Sequence, residues 1–178
     1  NASPNLVFGN LIRPPDAVPP DARRLANARK IGASAFVVYL GLDVPPEKLN
    51  IESYGYFIGP DMDTEKAYRN FFAFEPPRMQ AAVCLNNANP ACSPPGTTIL
   101  SMTALAGPDA WKDVKPGDYA RTKREFAAAM IEQFSRAVGA PIADHIEEIE
   151  IAAPPTFARY TGAFKGSIYA YEQDPWDS

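Results

Sequence analysis

The placement of proline sets the strongest constraint on how this chain can fold. The sequence holds 19 prolines in 178 residues, about twice the ordinary usage of roughly 5%. Because proline lacks a backbone N–H and has a fixed φ, it is excluded from the interior of helices and central strands. Here the prolines fall between apolar segments, as in RPPDAVPPD near the start and VPP after the first apolar run. The chain is therefore predicted to consist of short elements joined by proline-rich connections.

The segments between the prolines predict both strands and helices. Residues 34–42, SAFVVYLGL, are rich in β-branched and aromatic side chains and too short for a typical helix. Residues 119–138 repeat apolar side chains at helical spacing, with Asp118 as an N-cap and Gly139 at the end. The predicted strands cover 34–42, 50–58, 80–85, 97–106, 147–152 and 167–171, and the predicted helices cover 22–30, 64–72, 119–138 and 157–160.

This order of elements predicts an α+β fold, with a mixed, mainly antiparallel sheet and helices packed on one face. In the helix over 64–72, capped by Asp63, the apolar side is expected to face the core; it comprises Ala67, Tyr68, Phe71 and Phe72. The strands SAFVVYL and TILSMTALA offer apolar side chains to both faces of the sheet. A ligand, a missing domain or a second copy is therefore expected against the face that the helices leave open.

Length and composition predict one domain. A chain of 178 residues with 46% hydrophobic residues can bury a substantial core. Residues 1–32 are expected to be a lead-in with a short helix, beginning with Asn1-Ala2 as the remnant of a cleaved expression tag. Residues 33–178 are expected to form the domain itself. The absence of a charged tail or processing signal after Asp174 suggests that the chain was cut at a domain boundary.

Charge and hydropathy argue against two classes of partner. The formal net charge of −4 disfavours a nucleic-acid surface, which needs clustered Lys and Arg. No apolar run approaches the roughly 18 residues that span a bilayer, and no signal segment opens the chain. A soluble, cytoplasmic protein is therefore expected.

Nucleophilic, acid–base and metal chemistry find little support in the sequence. Cys84 and Cys92 flank a turn-rich stretch and could meet, but unpaired thiols are the favoured interpretation, and without a second ligand pair zinc is not supported. The single histidine, His145, lies in no nucleophile motif and is interpreted as a surface or capping residue. A solvated strand edge is the favoured interpretation of the acidic set Asp144, Glu147, Glu148 and Glu150.

Four pieces of the sequence together resemble the phytoene desaturase, carotenoid isomerase and retinol saturase-like flavoenzymes. In order along the chain they are SAFVVYLGLD, ESYGYFIGPDMDTEKAYRNFF, CLNNANPACSPPGTTILSMTALAG and PPTFARYTGAFKGSIYAYEQDPW. Their order and spacing carry the resemblance, which begins near Ala33. No G-x-G-x-x-G turn follows a strand, so the flavin-binding halves of that family have no counterpart here.

The resemblance implies that this chain is a substrate-binding region excised from an FAD-dependent oxidoreductase. FAD would belong to the intact protein, bound by another domain of the same chain, and the region alone would be inactive because such chemistry belongs to the flavin. The substrate would be a hydrophobic, isoprenoid-like molecule in an apolar tunnel. Any membrane contact would be peripheral and confined to the intact enzyme.

The resemblance also implies candidate site residues. The expected tunnel residues are aromatic and aliphatic positions on the sheet, each of which could equally be a core residue: Phe36, Val38, Tyr39, Tyr54, Tyr56, Met102 and Leu105. The expected flavin-facing residues lie in the C-terminal segment, where glycine permits close backbone approach: Tyr160, Gly162, Gly166 and Tyr169. Two other functions stay open: a free-standing module that binds a hydrophobic small molecule, and a domain that dimerises through its open face.

Overall fold

A five-stranded sheet forms the centre of the computed structural model, which describes residues 2–173 and 175. Its strands are β1 (Ser34–Leu42), β2 (Gly55–Ile58), β3 (Gln80–Cys84), β4 (Thr98–Ala106) and β5 (Ile146–Ala152). They lie in the order β2-β3-β4-β1-β5, and every neighbouring pair is antiparallel. The longest pairing joins β1 to β4, from Ser34 opposite Ala106 to Leu42 opposite Thr98. The predicted α+β class is confirmed.

Proline begins several of the helices, as its fixed φ and missing N–H favour. The helices are α1 (Pro4–Leu6), α2 (Pro20–Ala28), α3 (Thr64–Phe72), α4 (Tyr119–Val138) and α5 (Pro154–Thr161). Shorter turns of 3-10 or π type lie between them: Val7–Leu11, Pro15–Ala17, Pro46–Leu49, Leu85–Asn87, Pro90–Cys92, Ile142–His145 and Phe164–Gly166.

The two predicted N-caps differ in the structure. The Asp63 carboxylate accepts a hydrogen bond from the Lys66 backbone N–H at 3.0 Å and caps α3. The Lys66 ammonium and, to a smaller extent, this backbone bond lower the pKa of Asp63. Asp118 also precedes its helix, but its carboxylate contacts the Arg121 guanidinium at 2.8 Å and caps no backbone N–H. The prediction of a side-chain cap at Asp118 is therefore wrong, because the carboxylate forms its hydrogen bond with Arg121, one turn further along α4.

Helix α4 covers one face of the sheet. Its buried side chains include Phe126, Met130 and Phe134, and they pack on alternate strand residues that share one face. The Phe126 ring centroid lies 5.7 Å from that of Phe36, and the Phe134 centroid lies 5.5 Å from that of Tyr56. The hydrophobic core therefore lies between α4 and this face.

The intervening strand residues point to the opposite face, which is here named the open face. Tyr39 of β1 is 47% exposed, and Leu105 of β4 is 50% exposed. Phe57 of β2 is 91% exposed. Large apolar side chains on this face thus remain in contact with solvent, as the apolar character of both faces of β1 and β4 predicted.

The lead-in and the C-terminal segment pair with each other beside the sheet. The Gly32 N–H donates to the Ala170 carbonyl at 3.0 Å, and the Ile168 N–H donates to the Ala33 carbonyl at 2.9 Å. Ile31 and Tyr171 form an isolated antiparallel bridge. The prediction of a final sheet strand over 167–171 is therefore wrong, because this segment finds its backbone partners in the lead-in.

The asparagine-rich loop between β3 and β4 is held by its own side chains. The buried Asn86 amide donates to the Ser93 hydroxyl at 2.7 Å and accepts from the Ile99 N–H at 2.7 Å. The Asn87 amide donates to the carbonyls of Ile51 and Ser53. These amides order the loop and leave little hydrogen-bonding capacity for a ligand.

Across the part of the chain that the structure describes, every helix is too short or too polar to cross a bilayer.

Candidate functional site

An apolar groove lies between α3 and the open face and is here named the α3 groove. Its volume is about 570 Å³, within the range of small-molecule pockets. Phe57, Ala81 and Leu105 line it from the sheet, Ala67, Tyr68 and Phe71 from α3, and Tyr169 from the C-terminal segment. None of the described residues that line it carries a charge. The groove is therefore suited to an uncharged, apolar ligand.

Helix α3 is attached at its C-terminal end and buries none of its residues. The Gly107 N–H donates to the Phe71 carbonyl at 2.7 Å, which links α3 to the end of β4. The Asn70 side-chain amide donates a hydrogen bond to the Pro76 carbonyl and accepts one from the Arg78 N–H. The Arg78 guanidinium forms an ion pair with the Asp61 carboxylate at 2.7 Å. These bonds fix the helix beside the sheet and leave its apolar side facing the groove.

The helical spacing had predicted that the apolar side of α3 faces the core. In the structure it does not. Tyr68 is 65% exposed and Phe72 is 53% exposed. The spacing correctly indicated an amphipathic helix, but periodicity does not state which surface the apolar side meets. That apolar side and the apolar open face of the strands were the sequence signals that could have located the groove.

Three of the seven expected tunnel residues belong to the core. Phe36 is 1% exposed, and Val38 and Met102 are fully buried. Phe36 stacks on Trp111 with ring centroids 5.5 Å apart. All three lie on the face that α4 covers, so they have no open surface to offer a substrate.

The other four expected tunnel residues are divided among different places. Tyr56 packs edge-on against Phe134, and its hydroxyl accepts from the Ser53 N–H at 2.9 Å. Tyr54 is half exposed and precedes β2. Tyr39 and Leu105 both lie on the open face, but only Leu105 lines the α3 groove. The seven residues thus do not form one cavity.

The four expected flavin-facing residues do not form a common cradle. Tyr160 lines a groove beside α5, whereas Tyr169 lines the α3 groove. Gly162 ends α5 with a left-handed backbone, and Gly166 lies against the Pro154 carbonyl. The close approach at Gly166 is therefore made to the chain's own backbone, and these residues do not fit the role of a flavin site by themselves.

Among the residues that the structure describes, the titratable groups outside the grooves do not form a catalytic cluster. Burial raises the pKa of the Cys84 thiol, and both Cys84 and Cys92 are free. His145 Nδ1 lies 2.9 Å from an Asp43 carboxylate oxygen near the protein surface. Within residues 2–173, no group of three His, Cys, Asp or Glu side chains is placed to hold a metal ion.

No protein-family model matches the chain, and no curated protein matches it.

Proposed function

We propose that this chain binds a hydrophobic small molecule in the α3 groove, as the substrate-binding region of an FAD-dependent oxidoreductase. The observation that carries the binding function is the uncharged lining of the groove. A charged ligand would lose its hydration there without gaining an ion pair, whereas an apolar ligand gains by leaving water. The groove's size and chemistry therefore support a neutral, hydrophobic ligand.

The oxidoreductase part of the proposal is supported by the four sequence pieces that resemble phytoene desaturase-like enzymes. In those enzymes the flavin performs the redox step, and the surrounding protein binds and orients the substrate. FAD would be held by another domain of the intact chain. The open sides of the α3 groove leave room for such a domain to cover the substrate.

The second candidate is a free-standing module that binds a hydrophobic ligand without catalysis. One observation favours it: α3, three strands and Tyr169 together enclose a groove of about 570 Å³, within the size range of small-molecule sites. Such a module would need no covering domain, although its ligand would remain partly exposed to solvent.

The absorption spectrum of the full reading frame distinguishes the two candidates. We expect flavin bands between about 350 and 500 nm in the purified long protein and none in the 178-residue chain, because the proposed flavin site lies in another domain. A full-length protein that binds no flavin under flavin-replete expression would contradict the oxidoreductase proposal and leave the binding module.

Filling the groove tests the binding function itself. Ala67→Trp places an indole ring on the α3 wall and should weaken binding of the neutral dye Nile red about tenfold, since the ring displaces roughly 60 Å² of ligand contact. Dye fluorescence measures the dissociation constant. The matched control is Ala128→Trp on the exposed side of α4, which should leave the affinity unchanged. Equal affinity in both variants would rule out the α3 groove as the binding site.

A further inference from the structure

A second groove lies between the start of α4, strand β5 and helix α5, and is here named the α5 groove. Its volume is about 510 Å³. Tyr119 and Lys123 line it from α4, Arg159 and Tyr160 from α5, and Glu150 from β5. Unlike the α3 groove, it combines charged and aromatic side chains. It is also separate from the proposed hydrophobic site, since the two grooves have no lining residue in common.

Within the described part of the chain, the two cations of the α5 groove have no carboxylate partner. Neither Lys123 nor Arg159 forms an ion pair or a hydrogen bond with any residue that the structure describes. Glu150 attracts Lys123 through space but lies beyond ion-pair distance. Partial burial lowers the pKa of Lys123, the direction expected for an ammonium group that is partly removed from water. An anion in the groove would restore the lost stabilisation.

Each cation lies over a tyrosine ring. The Lys123 Nζ is 5.3 Å from the Tyr119 ring centroid, and the Arg159 Cζ is 5.6 Å from the Tyr160 ring centroid. The Tyr119 hydroxyl is also hydrogen-bonded to the Thr156 hydroxyl at 2.8 Å, which connects α4 to α5. The groove therefore presents cationic groups beside aromatic surfaces on two helices that are tied together.

We propose that the α5 groove binds a small anion that carries an aromatic ring, such as an aryl phosphate or an aromatic carboxylate. The Arg159 guanidinium has the planar fork of N–H donors that matches phosphate and carboxylate oxygens. Lys123 supplies a second positive charge from α4. The tyrosine rings offer surfaces on which the ligand's ring can stack. Glu150 opposes the anion and limits its affinity.

NMR titration of the ¹⁵N-labelled chain tests this site with four probes. Phenyl phosphate and benzoate carry both an anion and a ring, inorganic phosphate lacks the ring, and benzyl alcohol lacks the charge. We expect the two anionic ring compounds to bind more tightly than both controls, with shifts centred on Lys123 and Arg159. The ratio of the dissociation constants for phenyl phosphate and benzoate then shows whether the groove prefers a phosphate or a carboxylate. Binding should weaken as salt is added, because the attraction is electrostatic.

Three substitutions are expected to change the affinity for phenyl phosphate, two by weakening it and one by strengthening it. Lys123→Gln and Arg159→Gln should each weaken phenyl phosphate binding about tenfold, the order of effect for a lost charged hydrogen bond. Glu150→Gln should strengthen it, because a repelling charge is removed. The matched control is Arg124→Gln, one residue from Lys123 and exposed outside the groove, and it should bind as the unmodified chain does.

Two results would overturn the assignment. Benzyl alcohol binding as tightly as phenyl phosphate would show that charge is irrelevant to the groove. Unchanged affinity in both Lys123→Gln and Arg159→Gln would show that the anion binds elsewhere. The outcome is independent of the hydrophobic site, because Ala67→Trp fills the α3 groove and leaves the α5 groove intact.

Discussion

Replacing Gly166 with alanine is expected to lower the free energy of unfolding by about 3 kcal/mol. Gly166 has φ +69°, and an added Cβ would lie 2.1 Å from the Pro154 carbonyl oxygen. A left-handed backbone costs a residue with a Cβ about 1–2 kcal/mol, and overpacking adds roughly 1–3 kcal/mol. Urea unfolding followed by circular dichroism measures the change.

The control for this prediction is Gly162→Ala, four residues earlier. Gly162 has nearly the same φ of +66°, but the nearest atom to its added Cβ is Leu6 Cδ2 at 3.6 Å, an ordinary contact. This variant should lose only the free energy that a residue with a Cβ pays for a left-handed backbone, about 1 kcal/mol. Equal losses in the two variants would contradict the packing at Gly166 and would reopen its sequence-based interpretation as a point of close approach to a flavin.

Elements with a strong local pattern could be predicted from the sequence. The bounds of β1, α3 and α4 agree with the predictions over 34–42, 64–72 and 119–138. Each has a complete local signal: a β-branched run beside prolines, an Asp63 cap, or a long helical repeat ended by Gly139. Such signals act within a few residues, so a single sequence contains them in full.

Elements that depend on distant partners could not be predicted in the same way. The expected strand over 50–58 shortens to Gly55–Ile58, because its first residues join a turn whose Asn50 adopts a left-handed backbone. The expected strand over 167–171 pairs with the lead-in instead of the sheet. A strand exists only where another segment accepts its backbone hydrogen bonds, and that partner is not encoded locally.

The sequence also could not state which face of each strand is covered. Phe36 and Tyr39 lie three residues apart in one apolar run, yet α4 buries the first and leaves the second 47% exposed. Both satisfied the same criterion for a tunnel residue. The α3 groove was missed for a related reason, since its walls come from α3, three strands and Tyr169, which meet only in the folded chain. The α5 groove likewise joins residues from α4 and α5.

Phe36→Ala is expected to lower the free energy of unfolding by about 3–5 kcal/mol, the usual cost of emptying a buried aromatic site. Phe36 is 1% exposed and packs against both Trp111 and Phe126. Because it lies on the far side of the sheet from the α3 groove, the folded variant should bind Nile red with unchanged affinity. Urea unfolding and dye titration, both at a temperature where the variant is folded, check the two statements.

Leu105→Ala is expected to have the opposite effects to Phe36→Ala on stability and on dye binding. Leu105 is 50% exposed and lines the α3 groove, so its loss should cost less than about 1 kcal/mol of stability and should weaken dye binding severalfold. Substitutions on the face that α4 covers are thus expected to lower stability, and substitutions on the open face to weaken dye binding. A Phe36→Ala protein that keeps its stability but loses the dye would reverse this assignment and place the hydrophobic ligand beneath α4, beside the three expected tunnel residues that lie on that face.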